Sequence, residues 1–196
     1  MNNTIDCKGL LCPMPVVKTK KYFDSIQSGE CTVVVDNLVA KNNIVKLAEG
    51  SGYKSVVEEK EKDKLYYIKI TKEECIGENE PMSENRKFTL LISTDKLGLG
   101  DDELGTILMK SYVFALSEAD FIPSDILFIN GGVKLTTEGS SVLDSLKKLS
   151  ERGANILVCG VCLDFYNIKD KLSVGEISNM YTIVQLMNNA DNTIKL

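Results

Sequence analysis

A cysteine followed by two prolines stands near the start of the chain, in the sequence Cys12-Pro13-Met14-Pro15. Proline has no N–H and a fixed φ, so it fits the first turn of a helix and interrupts a helix further in. The run that follows, from Val16 to Ser28, has the residue pattern of a helix. The sequence therefore predicts a helix whose first residue is Pro13, with Pro15 in the first turn and Cys12 at the N-cap.

The predicted position of Cys12 makes its thiol a candidate nucleophile. The positive end of a helix dipole, with unpaired backbone N–H groups, favours a thiolate or a bound persulfide anion. The chain contains no histidine, which excludes Ser-His-Asp and Cys-His catalysis and histidine metal ligands. Cysteine is therefore the reactive group that the composition favours, with Lys, Asp, Glu and Tyr in support.

The composition is that of an ordinary globular protein of one large or two small domains, with 196 residues of which 43% are hydrophobic. A net charge of −5 argues against non-specific binding of nucleic acid, which depends on Lys and Arg. The sequence has no long uncharged apolar stretch, and residues 1–6 lack the basic and apolar regions that a signal peptide would have, so we expect none. We expect a cytoplasmic protein whose six cysteines are thiols.

Residues 1–72 predict the element order β-α-β-α-β-β, which is typical of a two-layer sandwich. The β-branched run Thr32-Val33-Val34-Val35 predicts a buried strand, and residues 40–49 predict the second helix. Asp6 and Asp36 lie where strands end, so each is a candidate to hold a loop near Cys12 or simply to cap a turn.

Residues 73–86 are polar and predict a flexible acidic linker, in which Cys75 is interpreted as an incidental exposed thiol. In residues 87–196 strands alternate with helices, which predicts a three-layer α/β/α domain with a mainly parallel sheet. A helix is expected from about residue 103 to 117. Its predicted inner face consists of Leu104, Ile107, Leu108 and Ala115.

A second cysteine motif, Cys159-Gly160-Val161-Cys162, follows a predicted strand. Ligands of parallel sheets bind at the carboxyl ends of the strands, and the loops at Asn130-Gly131-Gly132 and Gly98–Gly100 are expected at the same edge. The pair has three interpretations: a redox pair, half of a metal site, or structural thiols. Zinc needs four ligands and the Gly98 loop lacks the dinucleotide spacing, so we predict no metal and no cofactor.

Residues 1–72 resemble the TusA/SirA-like sulfur carriers, on the basis of Asp6, Gly9-Leu10, the Cys-Pro-x-Pro motif and the Gly29-Glu30 turn. Where that family usually has a proline after the second strand, this chain has Asp36-Asn37-Leu38. The second domain resembles DsrE-like proteins. The linked arrangement is similar to the YedF-type proteins associated with selenium metabolism.

The resemblance implies that Cys12 is a sulfurtransferase-like persulfide carrier, supported by a loop that contains Pro13, Pro15, Asp6, Gly9 and Asp36. It implies a cysteine desulfurase or another sulfur or selenium donor, a downstream acceptor, and a homo-oligomer formed through the C-terminal domain. Cys159 or Cys162 would accept the chalcogen or resolve it as a disulfide, and Cys159 is the position that matches the family. Two alternatives stay open: a thiol-disulfide redox protein that uses Cys159 and Cys162, and a non-catalytic module that binds a partner.

Overall fold

The computed structural model describes residues 3–60, 65–73 and 87–196. The chain divides into two compact units, residues 1–79 and 80–196. The predicted linker, apart from Glu73, lies outside the described residues, as does Cys75.

The N-terminal unit has the predicted order of strands and helices. Its sheet has the order β1-β2-β4-β3, in which β1 is parallel to β2 and the other neighbours are antiparallel. The two helices contact each other, and α2 packs against β3 and β4, which confirms the predicted two-layer arrangement. The elements are β1 (Asn3–Asp6), α1 (Met14–Asp24), β2 (Gly29–Val35), α2 (Leu38–Gly50), β3 (Lys54–Lys60) and β4 (Leu65–Lys72).

Alternating side chains of β2 and β4 form one side of the N-terminal core. Val33, Val35 and Ile68 are fully buried there, as the β-branched run and the alternation of β4 predict. From the helices, Phe23 and Ile44 pack against them. The helix boundaries differ from the prediction: α1 ends at Asp24 rather than near residue 28, and α2 begins two residues early because Asn37 caps it.

The C-terminal unit alternates strands and helices from end to end. Its elements are β5 (Phe88–Ile92), α3 (Asp102–Glu118), β6 (Asp125–Phe128), a 3₁₀ helix (Asn130–Thr136), α4 (Leu143–Glu151), β7 (Asn155–Cys159), α5 (Gly160–Phe165), a second 3₁₀ helix (Lys169–Lys171), β8 (Glu176–Ser178), α6 (Met180–Asn189) and β9 (Asn192–Lys195).

The five strands of this unit form one parallel sheet in the order β8-β7-β6-β5-β9. From β5 to β8 the chain moves steadily in one direction, and it then returns through α6 to β9. Helices α3 and α4 contact each other. Because crossovers between parallel strands are right-handed, the return connection through α6 is expected on the opposite face of the sheet. The core includes Met109 of α3, Leu146 of α4 and Ile183 of α6.

The predicted inner face of α3 is wrong. Leu104, Ile107 and Leu108 are 53%, 56% and 42% exposed, and Ala115 is exposed as well. A Cβ added at Gly105 would lie 3.1 Å from Lys96 Cβ, so the first turns of the helix pack closely against the residues that precede it. The residues that α3 buries are Gly105, Met109, Val113 and Ser117.

None of the helices in the described part of the chain combines the length and the apolar character needed to cross a membrane.

Candidate functional site

Cys12 is exposed. It was predicted at the N-cap of α1 but lies one residue before that cap. The helix begins at Met14 and Pro13 is its N-cap, so Cys12 precedes the cap. The backbone donors around it are also fewer than predicted. Pro13 and Pro15 have no N–H, and the N–H of Met14 donates to the carbonyl of Leu11 at 2.9 Å. The positive end of the α1 dipole still lies at this end of the helix. Most of the first N–H groups of α1, however, are missing because of proline or already donate a hydrogen bond.

A cleft of about 190 Å³ opens beside Cys12, between the first turns of α1 and α2. Its polar contribution closest to the sulfur is the Asn43 side chain, whose Nδ2 lies 3.9 Å from Cys12 Sγ. The rest of the cleft is mainly apolar, with Leu10, Val16 and Ala40 in its wall. The cleft is larger than one sulfur atom requires, so it has room for part of a second molecule.

The surface around the cleft is apolar. Leu11 is 82% exposed and Val39 is 63% exposed, and both also line the cleft. Leu38, the neighbour of Val39, is 52% exposed. We call Leu11, Leu38 and Val39 the apolar rim. Grouped exposed apolar side chains next to a functional group are a common mark of a contact surface for another protein.

Asp36 holds the loop that leads to Cys12. Its Oδ2 accepts a hydrogen bond from the N–H of Gly9 at 2.7 Å, and Gly9 has a φ of +70°, which favours glycine. This bond from Gly9 is the main cause that lowers the pKa of the Asp36 carboxyl. Asp6 acts more locally: its Oδ1 accepts from the Lys8 N–H at 3.0 Å, which lowers the pKa of Asp6.

The other described cysteines of the N-terminal unit belong to the core. Cys7 is 0% exposed and Cys31 is 2% exposed. Burial raises the pKa of both thiols, so both favour the neutral form. Each behaves as a small apolar side chain, and neither is open to a partner.

Cys159 and Cys162 form a close pair at the carboxyl end of β7. Cys159 is the last residue of β7 and is 3% exposed, whereas Cys162 lies in α5 and is partly exposed. Their Sγ atoms are 2.8 Å apart. Burial raises the pKa of the Cys159 thiol, and its contact with Cys162 adds to this.

The loop after β6 completes this second site, as the position of Asn130 at the same sheet edge predicts. The N–H of Asn130 donates to Cys162 Sγ at 3.2 Å. Asn130 has a left-handed φ of 47°, and its Oδ1 accepts from the Tyr166 hydroxyl at 2.9 Å. Gly132 is required nearby because a Cβ there would collide with the carbonyl oxygen of Ile92. The backbone donor is therefore held in place from several sides.

The structure adds three polar residues that the sequence did not single out as functional. Asn37 caps α2, and an Asn directly before a helical run is a recognised N-cap signal in a sequence. Asn43 and Tyr166 carry no such signal, since only the fold brings them to a cysteine or to its donor loop. Among the described residues, no three His, Cys, Asp or Glu side chains are grouped so that they could hold a metal ion.

Comparison with known proteins identifies relatives of both units. Residues 3–72 match the family model "Sulfurtransferase TusA", and residues 92–196 match the DsrE/DsrF-like family. A sulfur carrier protein of Halobacterium salinarum is 36% identical over 75 residues, which cover 37% of this chain and 93% of the relative. One from Methanocaldococcus jannaschii is 39% identical over 65 residues, 33% of this chain and 87% of the relative. A SirA-like protein structure from Desulfitobacterium hafniense is 38% identical, covers 35% of this chain and 93% of its own, and has a TM-score of 0.33.

Proposed function

The chain belongs to the TusA sulfurtransferase family through residues 3–72 and to the DsrE/DsrF-like family through residues 92–196, and we propose that it is a two-site sulfur relay protein. Cys12 accepts a sulfur atom as a persulfide, and the pair Cys159 and Cys162 takes that sulfur over. The observation that carries the proposal is the exposed Cys12 thiol in a domain whose other described thiols, Cys7 and Cys31, are buried.

The loading step is an exchange at sulfur. The Cys12 thiolate attacks the terminal sulfur of a donor persulfide, the donor's S–S bond breaks, and the donor leaves as a thiolate. The end of the α1 dipole and the Asn43 amide, 3.9 Å from Sγ, support the negative charge of the product. Because Cys7 and Cys31 are buried, the persulfide meets no other described thiol of its domain that would discharge it.

The partners follow from this chemistry. The donor is a cysteine desulfurase or another persulfide protein, and the apolar rim is the surface that it contacts. The cleft beside Cys12 has room for the donor segment that carries the sulfur. The relay works in the cytoplasm, where thiols remain reduced between cycles.

The C-terminal domain self-associates in this proposal, through the face of α3 that carries Leu104, Ile107 and Leu108. Large apolar residues on one exposed helix face favour association in water. Sedimentation velocity on the full chain should give an oligomer, and Ile107→Glu should lower its size. A monomeric wild-type protein would remove this part of the proposal.

A loading assay tests the relay. The full chain is incubated with an active cysteine desulfurase and cysteine, and the added sulfur is located by intact and peptide mass spectrometry. We expect an adduct on Cys12 that is lost in Cys12→Ser and retained in Cys75→Ser. If a known acceptor is loaded in the same reaction and Cys12 is not, the relay is wrong.

Selenium is the alternative cargo, because a thiolate attacks a terminal selenium as it attacks sulfur. The same assay with selenocysteine in place of cysteine measures this preference. Stronger loading with selenium at equal donor turnover would assign the protein to selenium metabolism, and stronger loading with sulfur would assign it to thiolation chemistry.

A second candidate function is thiol-disulfide exchange, and the 2.8 Å separation of the Cys159 and Cys162 sulfurs favours it. In that case the pair cycles between dithiol and disulfide with protein thiols, and the N-terminal domain only docks the partner. A reversible disulfide with a defined potential, together with no persulfide on any cysteine, would favour this function over the relay.

A further inference from the structure

The two sulfurs of the C-terminal site are placed to react with each other. Cys159 Sγ and Cys162 Sγ are 2.8 Å apart, and a disulfide bond is about 2 Å long. A small change of side-chain torsion therefore brings the two sulfurs to bonding distance, and a bond forms if an incoming oxidised sulfur accepts the two electrons. In contrast, a relay that only passes sulfur onward needs one thiol at each site.

The pair is also unequal in access. Cys162 is partly exposed and receives the Asn130 N–H at 3.2 Å, whereas Cys159 is 3% exposed. An incoming persulfide reaches Cys162 first, and the fixed N–H supports the negative charge of a thiolate or persulfide at that sulfur. Cys159 is reached only from Cys162. This order reverses the emphasis on Cys159 that the family resemblance implies.

We propose that this pair reduces the sulfur it receives and releases it as hydrosulfide. Cys162 takes the sulfur as a persulfide, and Cys159 then attacks the inner sulfur, the one bonded to the Cys162 side chain. The inference rests on the proposed relay for its supply of sulfur. It assigns the DsrE-like domain a persulfide-reductase activity, with sulfide as the product.

The atoms and electrons balance in this step. The Cys159 thiol and the Cys162 persulfide anion become a Cys159–Cys162 disulfide and one HS⁻. The bond between the two sulfurs of the persulfide breaks, and the electron pair leaves with the terminal sulfur. The Cys159 proton moves to that sulfur. The Cys159 sulfur is oxidised by one electron and the terminal persulfide sulfur is reduced by one electron to sulfide, while the Cys162 sulfur keeps its oxidation state. A dithiol reductant of the cell then restores both thiols.

The buried position of Cys159 suits this role. Burial raises the pKa of its thiol, so Cys159 keeps its proton until a persulfide on Cys162 lies beside it. Transfer of that proton to the terminal sulfur leaves the Cys159 thiolate, which is the form that attacks, and makes the terminal sulfur a better leaving group. Tyr166 donates its hydroxyl hydrogen to Asn130 Oδ1 at 2.9 Å and so holds the Asn130 loop over Cys162. The donor loop and the buried thiol thus contact Cys162 from two directions.

The test measures sulfide from a single cycle, without any reductant. Wild-type protein is supplied in one reaction with a desulfurase that has been loaded with sulfur from cysteine and then freed of cysteine, which is itself a thiol, and in another with a small-molecule persulfide. We expect one equivalent of sulfide per chain, followed by a stop, and a Cys159–Cys162 disulfide in the peptide map. A dithiol reductant should restart the release.

Variants separate the roles of the two thiols. Cys159→Ser should retain a persulfide on Cys162 and lower sulfide to the level without protein. Cys162→Ser should lower sulfide equally but carry no persulfide at this site. Cys75→Ser is the matched control and should behave like wild type. Because Cys159 is buried, Cys159→Ser could fail to fold. Cys159→Ala is therefore tested as a second variant, and the disulfide map of unmodified wild type gives a readout that needs no variant.

Failure of this inference and failure of the relay are distinguishable. Cys12→Ser supplied with the small-molecule persulfide bypasses the first site. If it releases sulfide while desulfurase never loads Cys12 in wild type, the reductase activity stands and the relay is wrong. If Cys12 loads but neither supply gives sulfide or the Cys159–Cys162 disulfide, the reductase activity is overturned.

Discussion

The side chains of Cys12 and Cys162 are both at least partly exposed to solvent, but the groups around the two sulfurs differ. Cys12 lies before a helix whose first turn has lost two N–H groups to proline, and an apolar rim surrounds it. Cys162 has a second sulfur at 2.8 Å and a fixed backbone donor at 3.2 Å. In the proposed relay, a persulfide on Cys12 meets no accessible thiol among the other described residues of its domain and is kept until another protein binds. A sulfur beside a second thiol can discharge its cargo at once.

The difference has a physical origin in how each domain uses cysteine. The N-terminal domain buries Cys7 and Cys31 in its core, where they are packing residues. The C-terminal domain ends β7 on Cys159 and begins α5 immediately, so three residues later Cys162 returns to the same place. A strand-to-helix junction with this spacing brings two thiols together, whereas among the described cysteines of the N-terminal domain Cys12 is exposed and the others are buried.

The largest expected effect comes from the two cores. Ile44→Ala removes a fully buried side chain from α2, the helix that carries Asn43, and should lower the stability of the N-terminal domain by about 2–5 kcal/mol. Leu146→Ala is the counterpart in the C-terminal domain. Hydrogen exchange resolved by peptide should assign each loss to its own domain. Equal loss of protection in both domains from either variant would break the two-site comparison.

The donor loop of the second site gives the next effect. Gly132→Ala places a Cβ against the Ile92 carbonyl oxygen and should cost about 1–3 kcal/mol, because backbone must move to make room. Gly131→Ala is the matched control, since its Cβ would stand 3.7 Å from Thr94 Cα, an ordinary contact. Chemical denaturation and sulfide release are measured together. A Gly132→Ala protein as stable and active as Gly131→Ala would contradict the close packing.

The cap of α2 gives a smaller effect at the first site. Asn37 Oδ1 accepts from the Ala40 N–H at 2.8 Å, so Asn37→Ala should destabilise the N-terminal domain by about 0.5–2 kcal/mol. Asn42→Ala changes an exposed residue of the same helix that is not at the cap and should stay within about 0.5 kcal/mol of wild type. Thermal unfolding of the two variants measures the contribution of the Asn37 cap to stability. If Asn42→Ala loses as much stability as Asn37→Ala, the capping hydrogen bond does not stabilise the domain.

The smallest effect is a dependence on acid pH. The N–H of Gly9 lowers the folded-state pKa of Asp36 below its usual 3.8, so the charged carboxylate adds stability above that value. This contribution is lost as the pH falls below about 4 and through the lowered pKa. Asn in Asp36→Asn can still accept the hydrogen bond from Gly9 but does not titrate. The free energy of unfolding of this variant, from denaturation curves, should therefore depend less on pH than that of wild type between roughly pH 5 and 2, where such carboxylates are protonated. Identical slopes for both proteins would mean that the bond from Gly9 contributes nothing.

Much of the fold follows from the sequence because the signals are local. The β-branched run Thr32-Val33-Val34-Val35 predicts the buried strand β2, and the two element orders predict the two architectures that the structure has. In α3 the same reasoning fails. The helix carries large apolar residues on the exposed stripe, and the buried stripe includes Gly105 and Ser117. Hydrophobicity alone does not tell which of two apolar stripes packs closest.

The sequence predicts the cysteines of the two candidate sites, but it does not predict most of the side chains that surround them. The sequence identifies Cys12, Cys159 and Cys162 as candidates, and the family matches include the two domains in which they lie. It did not give the helix start at Met14, because either proline can begin a helix. Asn43 reaches the Cys12 sulfur across 31 residues of sequence, and only tertiary structure produces such a contact. Asn130 is different, because it follows a neighbouring parallel strand and was therefore expected at the edge where Cys162 lies.

The central claim is that Cys12 holds sulfur and that the pair at Cys162 discharges it. The most direct measurement is the lifetime of a persulfide on Cys12 after the desulfurase has been removed, followed by mass spectrometry in wild type and in Cys162→Ser. The account predicts that the Cys12 persulfide disappears in wild type as the Cys159–Cys162 disulfide and sulfide form, and that it persists in Cys162→Ser. Equal lifetimes in the two proteins would contradict it.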